Sequence, residues 1–208
     1  MRITADMLIK KARVEPEAEE VKERSAAVTR YFKTLGLEVT ALASEVIPHI
    51  ARREMDLIGD ENKPFDRSRK GVLMMGHVGT GKTIMLKVAA RIIGCEYHDI
   101  TSLSALYATY GDSAFWGVIR PDRTDPSSDD LIIDDFGSEA EVRRYGNVLP
   151  IVDMIYARYD DWNNYGRRLW MATNLTGAEL SARYGERVMD RLKEMCVVVS
   201  APGDSMRK

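Results

Sequence analysis

The sequence predicts a three-layer α/β domain built on a parallel sheet and preceded by a helical region, and three observations predict it. First, Gly76-His77-Val78-Gly79-Thr80-Gly81-Lys82-Thr83 fits the phosphate-binding pattern G-x-x-x-x-G-K-[ST] without a mismatch. It lies between a short apolar run, Gly71-Val72-Leu73-Met74-Met75, and a helix-forming run at 84–90, which is the strand, turn and helix context that the pattern requires. Second, two later apolar runs end in polar residues: Leu131-Ile132-Ile133-Asp134-Asp135 and Arg168-Leu169-Trp170-Met171-Ala172-Thr173-Asn174. Buried parallel strands read this way where their carboxyl ends open on a ligand crevice. Third, the chain up to about residue 60 is charged and carries apolar residues at helical spacing.

Composition bounds the answer further. At 208 residues the chain suits one domain with a modest appendage, and a domain of that size buries roughly 70% of its unfolded surface without staples. Its 30 basic and 32 acidic residues give a formal charge of −2, so the overall basic footprint of a nucleic-acid coat is missing and any DNA contact must be local. Cys95 and Cys196 lack the spacing of a zinc site and the density of a disulfide framework. Both read as buried small apolar residues in a reducing compartment. No run approaches the ~18 apolar residues of a membrane span, so the expectation is a cytoplasmic protein without a membrane partner. No repeat or low-complexity tract interrupts the chain, and 126–130 reads as a loop leading into a strand.

Taken in order, Val21, Val28, Tyr31, Phe32 and Leu35 mark one amphipathic helix, and Val39, Leu42, Ala43, Val46, Ile47 and Ile50 a second. Pro48 is expected to kink or end the second helix. These helices are either a prelude packed on the core or an arm for a partner. The turn-rich stretch at 59–64 reads as the link, giving a helical region over 1–62 and a core over 63–208. In the phosphate loop, the glycines let N–H groups turn inward, Lys82 reaches terminal phosphates, and Thr83 offers a hydroxyl to Mg²⁺.

Beyond the loop helix, Glu96-Tyr97-His98-Asp99-Ile100 reads as a short second strand, with Thr101 capping a helix at 102–107. A helix or loop follows with Tyr110, Phe115 and Trp116. The run ending at Asp134-Asp135 is the third strand: Asp134 would hold Mg²⁺ and Asp135 would orient or activate water, unless the strand simply ends in an acidic turn. A long helix over 148–159 precedes the fourth strand. Its last residue, Asn174, either reaches a water near the γ-phosphate or begins a turn. Gly185-Glu186-Arg187-Val188-Met189-Asp190-Arg191-Leu192 reads as a helix with Arg187 and Arg191 on one face, and Val197-Val198-Val199 as the last strand. From Tyr107 through Tyr110, Phe115 and Trp116 to Arg120 and Arg123, aromatics interleave with basic residues. Such a surface binds single-stranded DNA by stacking and phosphate pairing, with Tyr107, Trp116 and Arg120 as its contacts, or else the aromatics are core.

Together these segments resemble the AAA+ ATPases of the bacterial DnaC/DnaI helicase-loader family, with IstB-like transposition helpers as near relatives. GHVGTGKT resembles the family's Walker A motif, LIIDD its Walker B, ATN its sensor 1 strand end, and GERVMDRL its arginine-finger segment, over about residues 70 to 208. The resemblance implies a five-stranded parallel sheet in the order 5-1-4-3-2, an ATPase using ATP and Mg²⁺, sensor 1 at Asn174, and a finger at Arg191 acting on ATP held by the neighbouring subunit. It implies a homo-oligomer of bacterial, phage or mobile-element origin. Its partners would be single-stranded DNA and a replicative helicase, or duplex DNA and a transposase. Two departures accompany it: the helical lid of larger AAA+ proteins is missing, leaving only Arg207 to mimic a second sensor, and Asp135 stands where many members carry Glu. A small-molecule kinase is disfavoured because the double carboxylate and Asn174 suit water as acceptor, and a GTPase because Asn62-Lys63-Pro64-Phe65 precedes the loop and lacks the guanine-reading Asp. A binding module that keeps ATP unhydrolysed is the remaining alternative.

Overall fold

The apolar runs form one parallel sheet covered on both faces. A computed structural model describes residues 5–58, 70–120, 130–140, 143–144, 147–148 and 150–201. Its elements are α1 (Ala5–Thr34), α2 (Ala41–Ile58), β1 (Gly71–Met75), α3 (Lys82–Ile93), β2 (Tyr97–Asp99), α4 (Ile100–Tyr110), α5 (Asp112–Ile119), β3 (Leu131–Asp134), β4 (Arg143–Arg144), β5 (Asn147–Val148), α6 (Ile151–Tyr165), β6 (Leu169–Thr173), α7 (Gly177–Tyr184), α8 (Glu186–Met195) and β7 (Cys196–Ser200). The main sheet runs β2-β3-β6-β1-β7 with every pairing parallel. Numbered by sheet strands alone this is 2-3-4-1-5, the expected order read from its other edge. The short antiparallel pair β4–β5 was not legible beforehand.

Successive strand residues feed opposite cores, as the two-residue period of a strand requires. Leu73, Ile133 and Met171 face α4 to α8, whereas Val72, Met74, Ile132, Trp170 and Ala172 face α2, α3 and the second half of α1. The second core settles how the N-terminal helices pack. Val46, Ile50 and Ala51 of α2 are wholly buried, and Phe32 of α1 is 2% exposed. Pro48 does not end α2, which continues ten residues past it to Ile58. Proline removes one backbone donor there, and the burial of Val46, Ile47, Ile50 and Ala51 on both sides outweighs that loss.

Polar groups anchor the same helix. Asp130, just before β3, accepts both guanidinium bonds of Arg53 at 2.8 and 2.7 Å, together with Arg168 N at 2.9 Å and Trp170 Nε1 at 3.0 Å. Its side chain is 1% exposed, so each of these bonds compensates desolvation.

Other boundaries shift for local reasons. Asp99, not Thr101, caps α4, because its carboxylate accepts from Ser102 N at 2.8 Å and Ser102 Oγ at 2.5 Å. The helix expected from Val148 begins at Ile151 behind Pro150 and runs to Tyr165, where Gly166 closes it in a left-handed conformation. Cys196 is buried and Cys95 half-buried, and burial pushes each thiol up to about 12. Among the described residues no helix is long and apolar enough to cross a membrane. The expected link at 59–64, the loop residues 126–129, Arg123 and Arg207 lie outside the described residues.

All three tryptophans, Trp116, Trp162 and Trp170, lie beyond the N-terminal helices. Their fluorescence therefore reports whether α2 belongs to the same cooperative unit. Ile50→Ala is expected to cost about 2–5 kcal/mol and to move the single urea transition seen by tryptophan fluorescence. A transition unmoved by this change would make α1 and α2 an independent unit.

Candidate functional site

The phosphate loop sits at the carboxyl end of β1, an interior strand flanked by β6 and β7. Gly76 leaves the strand at φ 154° while its N–H donates to Thr173 O at 3.3 Å. A Cβ at this position would stand 2.6 Å from Ala201 O, so the strand exit needs glycine for space as well as for its backbone angle. Gly81 takes the N-cap position of α3 at φ 90°, and no side chain caps the helix. The first N–H groups of α3 are thus left for an anion, and the helix dipole adds its positive end.

Lys82 is 5% exposed. Its ammonium donates to Gly76 O and His77 O, both at 2.7 Å, and reaches Thr80 Oγ1 at 3.4 Å. Burial pulls the ammonium below its ordinary pKa, while the nearby charges of Asp134 and Asp135 pull it back up. The lysine and the two carboxylates therefore share one electrostatic neighbourhood, although they lie 52 and 53 positions apart in sequence.

Both carboxylates are held. Asp134, 2% exposed, accepts Tyr97 Oη on Oδ2 at 2.7 Å and Asp135 N on Oδ1 at 2.9 Å. Asp135 is exposed and is the only described non-glycine residue at positive φ, 53°. Aspartate tolerates that conformation better than most residues, and here it turns the second carboxylate away from the strand. Asn174 Nδ2 donates to Asp135 Oδ1 at 3.1 Å, which joins the ends of β3 and β6. Beneath this contact, wholly buried Thr173 donates to Phe136 O at 2.6 Å and accepts Leu175 N at 3.1 Å, fastening the turn after β3 to the β6 exit.

That turn has a second anchor, which the sequence reading missed. Buried Glu139 accepts Gly137 N at 3.0 Å and Arg183 Nε at 3.2 Å, and also takes the Tyr184 hydroxyl. Tyr184 stacks on Phe136 at 4.8 Å between ring centroids. Both partners lie at the end of α7, a helix the sequence reading did not single out, which starts with a capping box between Thr176 and Glu179.

The two arginines of α8 are not equivalent. Arg191 stacks over Tyr159 at 4.2 Å and donates to Tyr159 Oη and Glu194 Oε2, both at 3.0 Å. Arg187 is exposed and shares with Tyr156, Asp190 and Arg191 a depression of about 380 Å³.

The expected DNA-contacting residues fare differently. Tyr107 is 1% exposed and packs edge-on against Phe115, so its ring is core and cannot stack on a base. Arg120 is turned inward: it donates to Ala157 O at 2.8 Å and to both oxygens of buried Asp161 at 3.2 and 3.1 Å. Trp116 is half-buried, 5.5 Å from Phe115, whereas Tyr110 is 68% exposed.

No protein-family model matches this chain, and no curated protein does. Solved structures do match. DnaA from Aquifex aeolicus, in its AMPPCP-bound form, superposes with TM-score 0.56 at 15% identity over 80% of this chain and 48% of the DnaA chain, so this chain spans about half that structure's length. DnaI superposes with TM-score 0.56 at 15% identity, over 81% of this chain and 86% of that one. A candidate primosome component from Streptococcus pyogenes serotype M3 gives 0.55 at 17% identity, over 82% and 85%. The chain thus shares the fold of these structures.

Thr173→Val keeps the shape of the side chain and removes its hydroxyl, leaving Phe136 O and Leu175 N without that partner. Urea unfolding is expected to show a loss of about 1–3 kcal/mol, the cost of stranding buried polar groups. A neutral result would mean that the turn is held without this bond.

Proposed function

We propose that this chain is an ATPase that binds ATP with Mg²⁺ and hydrolyses it between its own copies, as a loader-like replication factor that delivers a replicative helicase to single-stranded DNA. The observation that carries the ATPase reading is the convergence of Lys82, Asp134, Asp135 and Asn174 at the carboxyl ends of β1, β3 and β6. Parallel α/β sheets place their ligands there.

The residues suit the groups they would hold. The uncapped start of α3 and the ammonium of Lys82 fit a polyphosphate. Thr83 and Asp134 would hold Mg²⁺, and their hydroxyl and carboxylate are the hard oxygen donors that this ion takes, usually with one or two carboxylates plus substrate phosphates. When bound, Mg²⁺ supplies positive charge against the phosphate oxygens. The main-chain N–H groups at 76–83 bind and orient the phosphates. Lys82 trades the loop's own carbonyls for terminal phosphate oxygens. Asn174 occupies one oxygen of Asp135, which leaves the other to accept a proton from water and aim it. Asp135 reaches less far than a glutamate, and slow turnover in the free protein follows.

Arg191, supplied by an adjacent copy, completes the charge at the γ-phosphate. A guanidinium in that place is worth roughly 10³–10⁵ in rate, whereas an exposed ion pair such as that with Glu194 is worth under about 1 kcal/mol. The DNA and helicase parts of the proposal draw on the fold shared with DnaI, and between Tyr107 and Arg120 the aromatic surface left exposed for stacking is that of Tyr110 and the open edge of Trp116.

Lys82→Ala is expected to abolish ATP binding or turnover in a phosphate-release assay, and unchanged affinity and hydrolysis would remove the ATPase reading. Adding single-stranded or duplex DNA to the wild-type assay then distinguishes a loader-like protein from a transposition helper by which strand form stimulates it.

The trans role of Arg191 has its own measurement. Arg191→Ala subunits keep the phosphate loop and Lys82→Ala subunits keep the finger, so mixing two inactive variants is expected to restore part of the hydrolysis at mixed interfaces. A mixture that stays inactive, although both variants fold and wild-type copies assemble under the same conditions, would rule the role out.

A further inference from the structure

Tyr97 stands out because a strand residue at the sheet edge reaches into the site from the side opposite the phosphate loop. β2 pairs only with β3 and places Tyr97 beside Ile132, yet the phenol spans to the end of β3 and donates to Asp134 Oδ2 at 2.7 Å. The ring is itself pinned, with the Lys87 ammonium 5.2 Å from its centroid. Asp134 Oδ1 is meanwhile fixed by Asp135 N at 2.9 Å. Each carboxylate oxygen therefore has one bond to the protein, and rotation of the carboxylate would break both.

We propose that Tyr97 is a positioning residue for this site: its hydroxyl locks the plane of the Asp134 carboxylate, so that the lone pairs left over are presented to Mg²⁺ without reorganisation. This inference rests on the nucleotide reading above. A purely structural role is weaker on the geometry. β2 is already fixed by the backbone register of Tyr97, His98 and Asp99 on Ile132, Ile133 and Asp134, and by the Asp99 cap on α4. None of those contacts needs the phenol oxygen. Without Tyr97 the carboxylate keeps its charge but loses one of its two restraints, and outer partners of metal ligands typically contribute 10–100-fold to metal affinity.

Tyr97→Phe keeps the ring and removes only the donor. The measurement is binding of a fluorescent, non-hydrolysable ATP analogue to wild type, Tyr97→Phe and Lys82→Ala, first in EDTA and then across a Mg²⁺ titration, with thermal unfolding of each unliganded protein alongside. Tyr97→Phe is expected to stay folded with a single cooperative melt, to bind the analogue like wild type in EDTA, and to need roughly 10–100-fold more Mg²⁺ for the metal-dependent gain. An unchanged Mg²⁺ requirement overturns the proposal, and so does an equal loss with and without the metal, because that is the signature of damaged packing. If Lys82→Ala binds the analogue as tightly as wild type, the nucleotide reading itself falls and this inference with it. Loss in Lys82→Ala together with a wild-type Mg²⁺ profile in Tyr97→Phe removes only the role of Tyr97.

Discussion

A parallel sheet covered by helices on both faces can present polar groups only at its ends, and this constraint places Lys82, Asp134, Asp135 and Asn174, the candidate residues of the phosphate-loop site. Leu73, Ile133, Met171 and their neighbours Val72, Ile132 and Trp170 are wholly buried, so the middle of the sheet offers nothing to a ligand. At the carboxyl ends the chain must turn, and the turn residues carry the chemistry: the loop after β1, Asp135 after β3 and Asn174 after β6. The interior position of β1, between β6 and β7, puts the phosphate loop beside the exit of β6, with β6 lying between it and β3.

The two ends of β3 show how hydrogen-bond partners separate a structural carboxylate from a candidate functional one. Asp130 at the start is saturated, with Arg53 bound twice and Arg168 N and Trp170 Nε1 filling what remains. A carboxylate so fully paired has no capacity to take a cation, and its removal would strand Arg53. Asp134, four residues on, is as buried but, among the described residues, bonded once on each oxygen. A buried anion held by neutral donors, with the Lys82 charge in its neighbourhood, still has attraction to spare for a positive ligand. Sequence alone shows both as aspartates flanking an apolar run, and only the partners distinguish them.

What was legible in the sequence follows the range of the interactions concerned. The phosphate loop, the apolar strands and the polar strand ends are local patterns, and each of the five sheet strands lies within two residues of where its run predicts. Asp134, Asp135 and Asn174 were readable because their place at a strand end is itself local. Tyr97 and Glu139 were not, since their importance comes from partners 37 and 44 residues away. Tyr107 and Arg120 misled for the same reason. Interleaved aromatics and basic residues describe a DNA-binding face and a helix packed on a core equally well, and the acceptor that turns Arg120 inward, Asp161, lies on α6. Pro48 does not end α2 because a helix-breaking propensity of a few kcal/mol is smaller than the burial of the apolar residues around it.

The network around Glu139 ties the candidate site to the surface through packed elements. The turn after Asp135 is tied through Glu139 to Arg183 and Tyr184, and Gly185 then leads directly into α8. α8 packs Val188, Met189, Leu192 and Met195 into the core, so its outer face cannot roll without opening that packing. Arg191 on that face is further restrained by the stack on Tyr159 and the bond to Glu194. A flexible arginine would lose about 2 kcal/mol of rotamer entropy on being ordered by a neighbour's phosphate, and a stacked one has lost much of that freedom beforehand. The bond to Glu194 is the opposing term, because it must be exchanged for the phosphate contact. It is exposed and therefore cheap to break, so preorganisation by Tyr159 outweighs it. By contrast Arg187, one turn earlier and exposed, brings charge to the same face without that restraint. On this balance Arg191 is the better placed of the two to act on a partner, and Tyr159 is the residue that makes it so.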